Sequence, residues 1–127
     1  MIDKSRMKYL QVALIVFGVI SIVGIYTMMR VWPAGWVWIP AQAEYEQMII
    51  GIYATLGVFL IIAAKAPLQH LSLIWFTIWS SIVHGGIMLV QALVNETERA
   101  HLVGDIPAIF SMAIVLWILI PKKVNPE

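Results

Sequence analysis

Residues Leu71 to Val94 read LSLIWFTIWSSIVHGGIMLVQALV, 24 positions without an Asp, Glu, Lys or Arg. As an α-helix this run is about 36 Å long, more than the roughly 30 Å of hydrocarbon in a bilayer. It is therefore read as a membrane span with room for tilt. Three other runs share its character: a first from about Tyr9 to Arg30, a second from about Tyr45 to Ala64, stopped by Lys65 and Pro67, and a last ending at Ile120. Together they predict an all-α fold, a four-transmembrane-helix bundle. It forms a single integral membrane domain over residues 1–127, with spans near 9–30, 45–64, 71–94 and 102–120.

The last run is the shortest. Ile106 to Ile120 gives 15 residues, about 22 Å of helix, so Leu102 to Asp105 are needed to complete a crossing. Asp105 then falls at the membrane boundary, and its place just before Ile106 and Pro107 suits a helix N-cap. Pro121 ends the helix, and Lys122 and Lys123 can snorkel to the interface.

Apolar residues make up 61% of the chain and charged ones 12%, about half the charged share of a soluble domain. Counting spans from the first residue, Lys4, Arg6, Lys8, Lys65, Lys122 and Lys123 fall on one side and only Arg30 and Arg99 on the other. This positive-inside pattern predicts a multi-pass protein of a bacterial cytoplasmic (inner) membrane with both termini in the cytoplasm. The stretch from Tyr9 to Met29 has 21 uncharged residues and runs into Arg30, Val31, Trp32 and Pro33. It is longer than the apolar core of a secretory signal and lacks a small-residue cleavage site, so it reads as a retained span. A net charge of +1 provides no clustered basic face for nucleic acid. The absence of cysteine excludes iron–sulfur clusters, thiol catalysis and cysteine-ligated zinc in this subunit.

Within lipid, apolar periodicity says little, and the informative pattern is where polar and small residues recur. On the third span Thr77, Ser81, His84, Met88, Gln91 and Asn95 follow steps of four and three, which places them on one helix face. Glu46, Tyr53, Gly57 and Ala64 share a side of the second span, His101, Asp105, Ala108 and Met112 a side of the fourth, and Gln11, Gly18 and Ser21 a side of the first. Small residues there allow close helix approach, as at Ser81 and Gly85. The connections Ala66 to His70 and Asn95 to His101 are short, which favours antiparallel neighbours. The first outer connection holds Trp32, Trp36 and Trp38; it reads as an aromatic interfacial loop or as a lid over an outer pocket.

The polar residues concentrate near the outer side, where ionisable groups inside a bundle mark a cavity or a partner. Tyr53, His84, Met88 and Gln91 are the candidate lining of an apolar slot with a few hydrogen-bonding groups, suited to a quinone or lipid, with Trp75 and Trp79 able to pack on a ring. Glu46, His84, His101 and Asp105 have the residue types of a divalent metal site. Against it, the paired Glu-x-x-His motifs of bundled di-metal centres are absent. Haem does not suit histidines at three different depths, His84, His101 and His70. Arg30, on the disfavoured side, is expected to form a structural ion pair with Glu46.

The segments Tyr45-Glu46-Gln47-Met48, Gly51-Ile52-Tyr53, Ser72-Leu73-Ile74-Trp75-Phe76, Ser80-Ser81-Ile82-Val83-His84-Gly85-Gly86 and His101-Leu102-Val103-Gly104-Asp105-Ile106-Pro107 resemble a family of small bacterial four-helix membrane proteins classed only as a domain of unknown function. The resemblance covers about Leu10 to Leu119 and brings no catalytic residues. In size and span count the chain is also similar to DoxX-like membrane proteins, some linked to quinone-coupled oxidation. The expected function is that of an accessory subunit or small-ligand (quinone or lipid) binder with its polar site in the outer half, rather than an enzyme. It would work in the lipid bilayer, in a larger membrane complex or a homo-oligomer. The alternative is a metal- or quinone-dependent oxidoreductase component.

Overall fold

The computed structural model describes residues 3–122, which leaves Lys123 outside the described residues. It is all-helical, with no strand among those residues. Helix α1 (Lys4–Val31) opens on Asp3, whose carboxylate accepts the Ser5 N–H at 3.0 Å. It ends where Trp32 leaves helical geometry ahead of a single helical turn at Pro33–Trp36. Helix α2 (Ala43–Lys65) stops before Pro67, and a 3-10 turn at Pro67–His70 leads into α3 (Leu71–Val94). A 3-10 helix at Glu96–Val103, begun by the Asn95 side chain accepting from the Thr97 N–H, precedes α4 (Asp105–Leu119).

Helices α1, α2 and α3 are each long and apolar enough to cross a membrane, and this is a multi-span membrane protein. A fourth crossing exists only if Glu96–Val103 and Asp105–Leu119, bent 42° from one another, act as one span. Leu102 and Val103 belong to the bent 3-10 segment, and α4 begins at Asp105 after Gly104. Exposed Val12, Ile15, Val19, Phe59, Phe76, Trp79, Val83, Ile114 and Ile118 form the apolar belt that such a protein turns to lipid.

Helix α1 packs on α2 and α4, and α3 packs on α4, while α2 and α3 make little contact despite their short connection. The α1–α2 crossing is made backbone to backbone. A Cβ on Gly18 would lie 2.6 Å from Ile61 Cγ1, and one on Gly57 would strike the Gly18 carbonyl oxygen. Without a hydrophobic drive between helices in lipid, such small-residue seams supply the packing energy. Leu10, Leu14, Leu60, Ile74, Ile78, Leu116 and Ile120 fill the core toward the end that carries Lys4, Arg6, Lys8 and Lys65, here the basic end. There the Arg6 guanidinium donates to the carbonyl oxygens of Ile118, Leu119 (3.2 Å) and Ile120 (3.2 Å). It satisfies carbonyls that the end of α4 leaves unpaired, with the charge sign that a helix C-terminus favours.

At the opposite, aromatic end, the connection between α1 and α2 folds down on the 3-10 helix and the start of α4. Gly104 meets Gly35 so closely that a Cβ on Gly104 would collide with the Gly35 carbonyl. In α1 a π turn spans Ile20–Gly24. Residues four apart drift by about 40° per step on an α-helix, whereas a π turn absorbs one extra residue. Phe17, Ser21, Ile25 and Met29 can therefore share one face, and all four look into the space described next.

Candidate functional site

Beneath the aromatic end lies a pocket of about 170 Å³. Its walls are mainly apolar, from α1, Ile49 of α2, Met88 of α3, and Ala108, Ile109 and Met112 of α4. Trp36 and Trp38 of the folded-down connection line it as well. Into this lining come a few polar side chains, Ser21, Tyr53, His84, Asp105 and Ser111. Ile20, Ile49 and Ser111 are also exposed on the flank of the bundle, so the pocket opens sideways toward the apolar belt.

The Tyr53 hydroxyl and His84 Nδ1 are 2.6 Å apart. They join α2 to α3 where those helices otherwise stand apart. With the tyrosine as donor, the imidazole hydrogen resides on Nε2, which has no protein partner within bonding distance among the described residues. Trp36 adds a second unfilled valence: its indole N–H is buried and has no acceptor.

Asp105 ties the pocket to a second cluster. Its Oδ2 accepts the Trp38 Nε1–H at 2.9 Å and its Oδ1 lies 2.8 Å from His101 Nδ1. His101 is fully buried and stacks on Trp38, ring centroids 4.0 Å apart and planes 20° from parallel. Its Nε2 is 3.2 Å from the Val37 carbonyl and 3.0 Å from Glu98 Oε2. The N–H is directed at the carbonyl, which leaves Glu98 Oε2 without a hydrogen bond of its own, while Oε1 accepts the Ile39 N–H at 2.9 Å. A carbonyl only accepts, so Nε2 carries a hydrogen; one further proton then lies between Nδ1 and Asp105. The 3-10 helix and α4 thus clasp Val37, Trp38 and Ile39, and hold the tryptophans over the pocket.

Of the four residues expected to line a slot, Tyr53, His84 and Met88 do so and Gln91 does not. Gln91 is exposed and borders a separate outer hollow with Val90, Val94, Asn95 and Glu98. The buried face of α3 runs through Ile74, Thr77, Ile78, Ser81, Gly85, Met88 and Ala92. At 100° per residue its centre is rotated by roughly 50° from the polar stripe, which leaves His84 at the edge of the core and Gln91 outside it. Trp75 and Trp79 are not in the pocket lining, and Trp79 is exposed; the tryptophans that line the pocket are Trp36 and Trp38.

Three other expectations are corrected. Arg30 forms no ion pair with Glu46 among the described residues; its guanidinium lies 5.7 Å from the centre of the Tyr26 ring, one turn away on the same helix. Glu46, His84, His101 and Asp105 do not converge, because His84 is engaged by Tyr53 and His101 by Asp105 and Glu98. Among the described residues, no three His, Asp or Glu side chains are placed to hold a metal ion. Asp105 is not the N-cap of α4: Gly104 takes that position, and the carboxylate is committed to Trp38 and His101.

Glu98 was not among the expected site residues, and Trp38 was read as part of an interfacial loop or lid but not as a partner of Asp105. The spacing Glu98, His101, Asp105 did hold a signal, since three and four residues apart on a helix are neighbours. Trp38 joins them from 60 or more positions away, and no local pattern announces it.

A family model described as "Family of unknown function (DUF6632)" matches residues 4–124. No curated protein and no solved structure matches the chain.

Proposed function

The chain belongs to the family of unknown function DUF6632, and since membership brings no activity, we propose from the geometry that it binds a small, largely apolar ligand of the membrane, a quinone or a similar ring-bearing lipid. One observation carries this reading: the Tyr53–His84 pair, at 2.6 Å, borders an apolar pocket open on its flank. Binding sites combine this kind of greasy lining with a few fixed polar groups. At about 170 Å³ the pocket lies below the roughly 300–1,000 Å³ usual for drug-sized ligands. It suits a single ring head group whose tail leaves sideways between helices. The likeness in size and span count to DoxX-like proteins supports a quinone in particular. No reaction is assigned, and the function proposed is binding.

The orientation that suits this reading places the aromatic end at the periplasm of a bacterial inner membrane, with Lys4, Arg6, Lys8 and Lys65 at the cytoplasmic face. Reporter fusions after Pro40 and Asn95 should then read periplasmic and one after Pro67 cytoplasmic; a periplasmic signal at Pro67 overturns the orientation.

The binding proposal is tested by solvent extraction of the purified protein and mass analysis of what it releases. A ring-bearing lipid near one per chain, strongly reduced in His84→Gln while that variant stays folded, is the expected result. An extract with only bulk membrane lipid, the same for both proteins, contradicts it.

A further inference from the structure

We infer that the pocket selects the hydroxylated, reduced form of its ring-bearing ligand, a hydroquinone or phenol, over the quinone; this rests on the binding proposal above. The discriminating group is Asp105, a carboxylate set in an apolar lining. Both its oxygens are fixed, Oδ2 by the Trp38 N–H at 2.9 Å and Oδ1 by His101 at 2.8 Å. Wherever the proton between Asp105 and His101 resides, Oδ2 keeps a free lone pair and no hydrogen, so it can only accept. A ligand hydroxyl can donate a further hydrogen bond to it, whereas a quinone carbonyl is only an acceptor and would be left facing another acceptor in a mainly apolar lining.

The other open valence agrees. Trp36 lines the same pocket with a buried N–H that lacks an acceptor. Trp36 Nε1 and His84 Nε2 supply unfilled donors and Asp105 Oδ2 an acceptor; a hydroxyl oxygen can use both kinds of partner, whereas a carbonyl can use only the donors. Sites built to hydrogen-bond a hydroxyl discriminate strongly against analogues without it, because their own polar groups are then left unpaired.

The test uses the full chain in nanodiscs and a short-chain benzoquinone and its hydroquinone as probes, the latter kept reduced under anaerobic conditions. Binding is read from quenching of tryptophan fluorescence. The hydroquinone should bind roughly 10-fold more tightly, as loss of one hydrogen bond implies. In Asp105→Asn, whose amide can present a donor as well as an acceptor, that preference should shrink to a few-fold or less. Arg6→Gln, at the opposite end of the bundle and outside the pocket lining, serves as the control and should retain the preference. Equal affinity for both probes, or tighter binding of the quinone, overturns the selectivity and leaves the pocket standing. Failure of both probes to bind, with no response to His84→Gln, overturns the pocket itself.

Discussion

The two ends of the bundle close in different ways. At the basic end a single exposed-to-half-buried arginine, Arg6, reaches across from α1 and caps the carbonyls at the end of α4, above a dry core of leucine and isoleucine. At the aromatic end the closure is a polar cluster with Glu98 and His101 inside the protein, and below it the packing is left incomplete. Filling a helix end needs only a capping charge. Burying an imidazole between two carboxylates over a cavity is a costly way to end a bundle, and the proposed binding is placed there.

The largest effect that bears on this contrast is expected from His101→Leu. The change strands Asp105 and Glu98 without their shared partner in the protein interior, a loss of about 3–5 kcal/mol. Thermal unfolding in detergent should show a large drop, with Trp36 and Trp38 becoming accessible to a soluble quencher. A near-wild-type melting curve would reduce the cluster to a passive feature. Arg6→Gln is expected to lower stability by only about 1 kcal/mol, the usual worth of a capping charge at a helix end, and to leave bound ligand unchanged. If it emptied the pocket, the two ends would be coupled and the contrast would fail. Smallest of all, Gln91→Ala should change stability by less than about 0.5 kcal/mol and ligand content not at all, since Gln91 lies outside the pocket.

The helical architecture was readable because hydrocarbon imposes a coarse rule: about 20 uncharged residues make a crossing, and α1, α2 and α3 obey it. The start of α4 was not, since a 3-10 helix bent by 42° has the same composition as a straight extension. His84 and Met88 were legible in the stripe of α3 at helical spacing, and Tyr53 on a polar face of α2. Gln91 shared that spacing yet fell outside, because the sequence gives the stripe but not the rotation of the helix toward its partner. The clasp was the least legible part. Trp38 to Asp105 and Arg6 to Ile118 are contacts between residues distant in the chain, fixed by packing alone. The tryptophans of the connection between α1 and α2 fit an interfacial belt as well as a lid, and of the three Trp36 and Trp38 line the pocket.

The most direct measurement of the central claim is native mass spectrometry of the protein released gently from its own membranes, with wild type, His84→Gln and Arg6→Gln run side by side. The wild type and the Arg6 variant should carry one small apolar ligand per chain that the His84 variant lacks. A bare wild-type chain, or an adduct equally present in the His84 variant, would contradict a binding site at the aromatic end.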